Sequence, residues 1–262
     1  MDKTEIISSR QNVKVKNWRK LQSSKGRKQQ KQYLIEGIHL VQEALLFKQT
    51  VLELMITPDF QASVEWRSLK EHLPTNFSPI LITDQVAQAI SATETNQGIF
   101  ALLALPEAKE NWKPLGKKYL LLDKVQDPGN LGTMIRTADA AGFDGVVMGN
   151  GTVDLYNDKV LRSTQGSIWH LEIVALDLSE AYQSLRAAGI TIYATALHQA
   201  AKAYHSITET DRIAIVMGNE GQGLASEWIK QADHAVYIPM FGQAESLNVA
   251  IAAGILMFHF NK

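Results

Sequence analysis

Residues 119–148 read YLLLDKVQDPGNLGTMIRTADAAGFDGVVM, and this stretch decides the fold. It begins with an apolar run at 119–123 and continues through a polar, glycine-containing turn into a helix predicted over 130–141. A second apolar run follows at 145–148. Short, continuous runs of Leu and Val are typical of parallel strands that are covered on both faces. The order strand, turn, helix, strand therefore predicts an α/β fold built on a parallel sheet.

The same alternation extends from this stretch in both directions. Downstream, strands are predicted at 171–175, 190–195, 213–217 and 235–238, and helices at 157–164, 179–188, 224–231 and 247–260. Upstream, strands are predicted at 33–36, 51–56, 80–82 and 99–105, with helices after Gly37 and over 63–72 and 86–90. Polar residues 106–118, which include two prolines and a glycine, are the predicted linker. It separates a small N-terminal α/β domain at 1–105 from a parallel-sheet domain at 119–262.

Composition excludes several classes of protein. The chain has 262 residues and no cysteine, which excludes a disulfide scaffold, a Cys-ligated metal and a thiol nucleophile. Its seven histidines lack the spacing of a metal-ligand set, so no metal is expected. No apolar run reaches the ~20 residues that span a bilayer, and none follows the basic N-terminus as in a secretory signal. We therefore expect a cytoplasmic protein that is not bound to a membrane.

Charge is distributed unevenly along the chain. The net charge is −1, but residues 1–31 hold ten Lys and Arg against two acids, a net +8 that leaves −9 for the rest. Such asymmetry indicates an anionic partner, either nucleic acid or a membrane surface. A solvated, flexible tail is the alternative. Trp18 within this segment is a candidate for stacking on a base.

Three polar, glycine-rich turns follow predicted strands, and open α/β sheets bind ligands at the carboxyl ends of their strands. The first turn carries Asn130, a candidate N-cap, and Arg136, whose charge is poorly placed for the helix dipole. That placement indicates a phosphate or carboxylate partner, and the alternative is a surface arginine paired with Asp139 or another acid.

The second turn, 218–224, reads GNEGQGL. Its glycine spacing differs from the dinucleotide fingerprint, and Glu220 would repel a pyrophosphate. It therefore favours a ligand with positive charge or a pairing with an arginine, although a simple turn remains open. In the third turn, Ser246 and Asn248 precede the most apolar predicted helix, where helix capping is the alternative role.

Taken together and in this order, the segments DPGNLGTMIRTADAAGFDGV, IVMGNEGQGL and IPMFGQAESLNVAIAAGI resemble the SpoU (TrmH-type) family of RNA ribose 2′-O-methyltransferases, within the SPOUT superfamily. The run Asp154, Asn157, Lys159, Arg162 and the pair Gly166-Ser167 also fit. The resemblance covers about 119–260. More loosely, YLIEGIHLVQEAL at 33–45 is similar to the RNA-binding domain that many members carry.

The resemblance implies a catalytic domain at 119–262 with a deep trefoil knot and S-adenosylmethionine as methyl donor. Carried over by position, the implied catalytic residues are Asn130, Arg136, Glu220, Ser246 and Asn248. The implied cofactor-binding residues are Thr195, Ala196, Leu197, Gly218, Ile238 and Leu247. We expect Arg136 to hold a phosphate and stabilise the developing alkoxide rather than act as base, with Glu220 orienting it.

The resemblance also implies partners. The basic segment would bind RNA through Arg10, Lys14, Lys16, Arg19, Lys20, Arg27 and Lys28. Ribosomal RNA is the favoured substrate, and transfer RNA is the alternative. A non-catalytic RNA-binding protein in ribosome assembly is a further alternative, which the combined presence of all five catalytic residues disfavours. Family members are homodimers, and the apolar helix predicted over 247–260 is expected at the interface.

Overall fold

The chain passes between two units three times. The computed structural model describes residues 6–74, 77–107, 111–196, 201–207 and 211–261. Unit 1 consists of Met1–Glu107 and Tyr156–Trp169, and unit 2 of Ala108–Leu155 and His170–Lys262. The segment 156–169, which we name the strap, thus belongs to unit 1, although the sequence pattern predicts it as part of the catalytic domain.

Unit 1 is built on a small mixed sheet. Its elements up to residue 107 are α1 (Val13–Lys20), α2 (Ser24–Gln30), β1 (Gln32–Glu36), α3 (Ile38–Leu46), β2 (Val51–Ile56), α4 (Pro58–Ala62), α5 (Val64–Lys70), β3 (Ile80–Leu81), α6 (Asp84–Ile90) and β4 (Ile99–Ala104). The strand order is β1-β4-β2-β3, with β4 antiparallel to both neighbours and β3 parallel to β2. The helix predicted over 63–72 is α5, whereas the short α4 before it was not predicted; Ser63 ends α4 and caps α5 by accepting from Trp66 N.

Unit 2 contains the predicted parallel sheet. Its elements, together with α8 of the strap, are β5 (Lys118–Leu122), α7 (Pro128–Ala140), β6 (Gly145–Met148), α8 (Asp158–Thr164), β7 (Glu172–Ala175), α9 (Leu178–Ala187), β8 (Thr191–Thr195), β9 (Lys202–Ala203), β10 (Ile213–Met217), α10 (Ser226–Gln231), β11 (His234–Tyr237) and α11 (Val249–His259). The order is β7-β6-β5-β10-β8-β11-β9 and every pairing is parallel. The α/β prediction is therefore confirmed, whereas the short β9 was not predicted. The knot that the resemblance implies stays a prediction.

The basic segment of unit 1 is folded rather than a loose tail. Val15, Trp18 and Leu21 of the α1 region are buried against the sheet and α6. Trp18 is 2% exposed and its Nε1 donates to Glu53 Oε2 at 2.8 Å. The interpretation of Trp18 as a base-stacking residue is therefore wrong, because its ring lies in the core.

The strap packs within unit 1 through aromatic contacts. The rings of Tyr33 and Tyr156 lie 4.6 Å apart, and Trp169 Nε1 donates to the Tyr33 hydroxyl at 3.3 Å. Val160 and Leu161 of α8 are fully buried. In the part of the chain that the structure describes, no helix is long and apolar enough to cross a membrane.

Candidate active site

Parallel pairing brings the ends of several strands of unit 2 to one edge of the sheet. The turns that follow β5, β10 and β11 all begin at this edge, since β5 pairs with β10, and β8 pairs with both β10 and β11. Each of the three polar turns singled out in the sequence therefore starts where an open α/β sheet binds its ligand.

Side chains from the three turns form one hydrogen-bonded chain. Asn248 Nδ2 donates to Asn130 Oδ1 at 2.9 Å, and Asn130 Nδ2 donates to Glu220 Oε1 at 3.1 Å. Glu220 also accepts from the backbone N–H groups of Gln126 and Asp127, at 3.2 and 3.1 Å. The structure thus unites three of the five predicted catalytic residues.

The carboxyl of Glu220 is held in its charged form. Burial raises its pKa, but hydrogen bonds from the amides of Asp127 and Glu220 itself, from the Asn130 side chain and from the Gln126 amide outweigh burial. The pKa consequently lies below its ordinary value of 4.5. A permanent negative charge in this position fixes the β5–α7 turn at neutral pH.

Helix α7 begins earlier than predicted. Its N-cap is Asp127, whose carboxylate accepts from Asn130 N at 2.8 Å, and Pro128 occupies the first turn. The interpretation of Asn130 as N-cap is therefore wrong. Because Asp127 caps the helix, the side chain of Asn130 can form hydrogen bonds with Glu220 in the turn after β10 and with Asn248 in the loop after β11.

Arg136 is exposed on α7 and forms no hydrogen bond or ion pair with any residue that the structure describes. Asp139, the alternative partner predicted for Arg136, instead contacts His170, whose Nδ1 lies 2.7 Å from Asp139 Oδ2. The expectation that Glu220 orients Arg136 is likewise wrong, because the hydrogen bonds of that carboxylate go to the β5–α7 turn. The guanidinium is accordingly available to an anionic ligand.

The turn after β10 is closed by its own backbone. Asn219 N donates to Gly223 O at 3.0 Å, and Gly223 N donates to Asn219 O at 2.9 Å. The Asn219 side chain donates to Lys124 O at 2.8 Å and accepts from the amides of Gly221 and Gln222. A Cβ on Gly218 would lie 2.5 Å from Gly223 O, so only glycine fits there. Asn219 was not among the predicted site residues, although asparagine within a glycine-rich turn is a signal for such hydrogen bonding to the backbone.

A cavity of about 390 Å³ lies beside this turn. Its lining includes Thr195, Ala196, Gly218, Ile238 and Leu247, five of the six predicted cofactor-binding residues. The sixth, Leu197, lies outside the described residues. Glu220 and Ser246 also line it, as do apolar residues that sequence reasoning missed, among them Leu224, Val236, Met240 and Leu256. Volume and lining fit an organic ligand that has an apolar part and a positive charge.

The two remaining turn residues differ in what they contact. Ser246 is exposed and makes no hydrogen bond within the described ranges. Asn248 is the N-cap of α11, where its Oδ1 accepts from Ala250 N and Ile251 N at 2.9 and 3.3 Å. The capping alternative is thus correct for Asn248, and the Nδ2 of the same side chain also donates to Asn130.

The predicted RNA-binding residues fall into three groups. Lys16, Arg19, Lys20 and Lys28 are exposed without an acidic partner among the described residues. Lys14 Nζ is paired with Glu53 at 2.6 Å, and Arg10 donates to Gln85 O at 3.3 Å. Arg27 is only 4% exposed and donates to Leu21 O at 2.7 Å. Its assignment to RNA binding is therefore wrong, because its guanidinium joins α2 to the end of α1.

Comparisons with known proteins agree with this arrangement. The profile of the SpoU rRNA Methylase family matches residues 117–258, and that of the MRM3-like substrate binding domain matches 12–101. A Bacillus subtilis protein named 23S rRNA (guanosine(2553)-2′-O)-methyltransferase RlmP is 43% identical over 97% of this chain and 98% of its own length.

Two solved structures share the fold over nearly the whole chain. The AdoMet-bound rRNA methyltransferase of Sinorhizobium meliloti is 30% identical, with a TM-score of 0.86 over 97% of this chain and 96% of its own. The SpoU methyltransferase AviRb of Streptomyces viridochromogenes, also in complex with AdoMet, is 25% identical, with a TM-score of 0.85 over 95% of this chain and 97% of its own.

Proposed function

The chain belongs to the SpoU rRNA Methylase family, and from that premise we propose that it methylates the ribose 2′-hydroxyl of a guanosine in 23S ribosomal RNA. The observation that carries the proposal is the 43% identity with RlmP across 97% of this chain, which includes all three turns of the site. S-adenosylmethionine is the methyl donor, as in the AdoMet-bound neighbours.

The cavity residues fit this cofactor. Leu224, Val236 and Leu256 offer apolar surface to an adenine ring, and the Glu220 carboxylate complements a sulfonium charge. When bound, the cofactor supplies an electrophilic methyl group. Gly218 admits close approach to the backbone of the β10 turn, and Thr195 is held in place because its Oγ1 donates to Val216 O at 2.8 Å.

Arg136 acts on the RNA in this proposal. Its guanidinium stays charged at every physiological pH and cannot take the hydroxyl proton. It binds a phosphate through two parallel hydrogen bonds and stabilises negative charge as it develops on the 2′-oxygen. The proton then passes to a phosphate oxygen or to water. The absence of any partner for Arg136 among the described residues supports this role.

The hydrogen-bonded chain of Asn248, Asn130 and Glu220 holds the turns in position for this reaction. Its geometry is set before any ligand arrives, because each of the three side chains already has a partner at 2.9–3.2 Å. Ser246 is exposed and lines the cavity, and we assign to it a contact with the ribose. Preorganised polar groups of this kind lower a barrier without the cost of reorientation during the reaction.

RNA binding is assigned to unit 1. Helices α1 and α2 carry four exposed cations, Lys16, Arg19, Lys20 and Lys28. Lys14 and Arg10 lie close to them in sequence. They form a preformed basic surface, since Arg27 and Trp18 fix the two helices in the fold. Binding through phosphates predicts an affinity that falls steeply with salt.

A homodimer is also part of the proposal. Ile251 and Phe258 of α11 are 55% and 56% exposed and lie seven residues apart, on one face of the helix. The opposite side of α11 packs on α7, the helix that carries Arg136. An exposed apolar face on an otherwise buried helix favours a second copy of the chain as its cover. Ribosomal RNA as substrate agrees with the expected cytoplasmic location.

Methyl transfer to defined RNAs tests the proposal. The purified chain is incubated with radiolabelled S-adenosylmethionine and either 23S rRNA, 16S rRNA or total tRNA, and the methylated ribose is mapped by alkaline resistance. We expect transfer to one guanosine of 23S rRNA and none with Arg136→Ala. Transfer to tRNA alone would contradict the substrate, and RNA binding without any transfer would favour the assembly-protein alternative.

A further inference from the structure

Phe241 lies in the loop that joins β11 to α11, and its side chain is 96% exposed. It is the most exposed large apolar side chain in the part of the chain that the structure describes. No aromatic ring or hydrophobic cluster of the described residues packs against it. Folding therefore gives no reason for an aromatic ring at this position.

The position of Phe241 connects it with the reaction. Its neighbour Met240 lines the cofactor cavity, and so do Glu245, Ser246 and Leu247 further along the same loop. Phe241 thus stands directly beside the wall of the cavity in which the methyl donor binds. An RNA whose ribose enters this site must bring at least one base close to the loop.

The charge of the loop indicates which part of the RNA it contacts. Residues 239–248 contain no Lys or Arg and one acid, Glu245. Such a loop offers no cation to a phosphate, whereas a base presents an uncharged face. Aromatic side chains stack on unpaired bases of RNA, and each stacked base contributes about 1–3 kcal/mol.

The surroundings of Phe241 favour a base over another protein surface. It is followed in sequence by Gly242 and Gln243, and the other exposed apolar side chains of the loop, Met240 and Leu247, line the cavity and are only 37% exposed. The face of α11 that carries Ile251 and Phe258 is the more extended apolar surface. One fully exposed aromatic ring, the only one in the loop 239–248, matches the flat face of one base.

We propose that Phe241 stacks on an unpaired base at or next to the methylated nucleotide and thereby selects a non-helical segment of RNA. The inference rests on the proposed function for the identity of the substrate. Stacking holds the nucleotide out of a regular helix while its ribose is at the cavity. Phe241 is in this view a residue that contacts the substrate and determines specificity.

Phe241→Ala in the full-length protein tests the stacking contact, with Phe241→Trp as the conservative variant and Leu115→Ala as the matched control. Leu115 is 91% exposed and lies in the predicted linker, away from the cavity lining. We expect Phe241→Ala to weaken binding of the RNA segment around the target by about 5- to 140-fold, with Phe241→Trp near wild type. Leu115→Ala should bind this RNA like wild type. Phe241→Ala should keep the wild-type affinity for the cofactor and the wild-type melting temperature.

Two further readouts separate the outcomes. RNA with 2-aminopurine at or beside the target should change its fluorescence on binding wild type but not on binding Phe241→Ala. Equal RNA affinity of Phe241→Ala and wild type would overturn the inference, and so would sedimentation showing that the substitution turns a dimer into a monomer. If wild type transfers no methyl group, the proposed function fails, whereas the binding measurements still decide on stacking.

Discussion

Replacement of Gly218 by Ala should close the cofactor site. The added Cβ would lie 2.5 Å from Gly223 O and would overlap the backbone of Leu224, and backbone atoms cannot move aside as a flexible side chain does. The turn must therefore open and lose the two hydrogen bonds between Asn219 and Gly223, at 3.0 and 2.9 Å. Overpacking costs about 1–3 kcal/mol, and each lost hydrogen bond about 0.5–1.5 kcal/mol. We expect a loss of about 2–6 kcal/mol in the stability of unit 2.

Two measurements check this expectation. Calorimetric titration should show S-adenosylmethionine binding at least tenfold more weakly, because the displaced turn lines the cavity. Scanning calorimetry should show a lower melting temperature for the transition that the cofactor raises in wild type. Gly221→Ala is the control in the same turn, since a Cβ there lies 3.7 Å from Asn219 Oδ1, an ordinary contact. Wild-type cofactor affinity of Gly218→Ala would refute the reasoning.

The remaining predictions concern other side chains of the site and of the basic surface. Arg136→Lys keeps the charge but loses the two-pronged contact, so single-turnover methylation should fall at least tenfold with cofactor affinity unchanged, and a near-normal rate would contradict the phosphate role. Asn248→Ala should lower the free energy of unfolding by about 1 kcal/mol through loss of the α11 cap, and should also slow methylation. The folded state lowers the pKa of Glu220, so the charged carboxylate stabilises the fold above pH 4.5, and this stabilisation is lost as the pH falls through the lowered pKa. The difference in unfolding free energy between wild type and Glu220→Gln should therefore shrink over that pH range. A difference that stays constant with pH would refute this. Arg19→Ala should reduce the salt slope of RNA binding by about one counterion without loss of stability, whereas Arg27→Ala should lower the melting temperature, because Arg27 is buried.

The sequence was informative wherever a local pattern determines structure. The buried strands of unit 2 are continuous apolar runs, and each was predicted within two residues of its observed bounds. The convergence of Asn130, Glu220 and Asn248 could be expected as well, because the carboxyl ends of parallel strands share one edge. Even the start of α7 had a local signal, since Asp127-Pro128 is a cap followed by proline at the first helical position.

Tertiary contacts account for the errors. Arg27 counts as a surface cation in a charge sum, yet its side chain is buried and donates to Leu21 O. The spacing of Val15, Trp18 and Leu21 by three residues was a signal for a buried helical face, but the surrounding charges concealed it. The partner of Glu220 was predicted wrongly because no local pattern shows which group, distant in sequence, a carboxylate will contact.

The strap has a consequence for the order in which the chain is synthesised. Unit 1 needs Tyr156–Trp169, which follow residue 107 only after a 48-residue stretch of unit 2. During translation, the first 107 residues therefore leave the ribosome without the segment that covers Tyr33. Strands β5 and β6 emerge in the interval, but β6 must wait for β7 and β5 for β10, their later neighbours in the sheet. Unit 1 therefore cannot complete its native packing until residue 169 has been made, after the first 48 residues of unit 2.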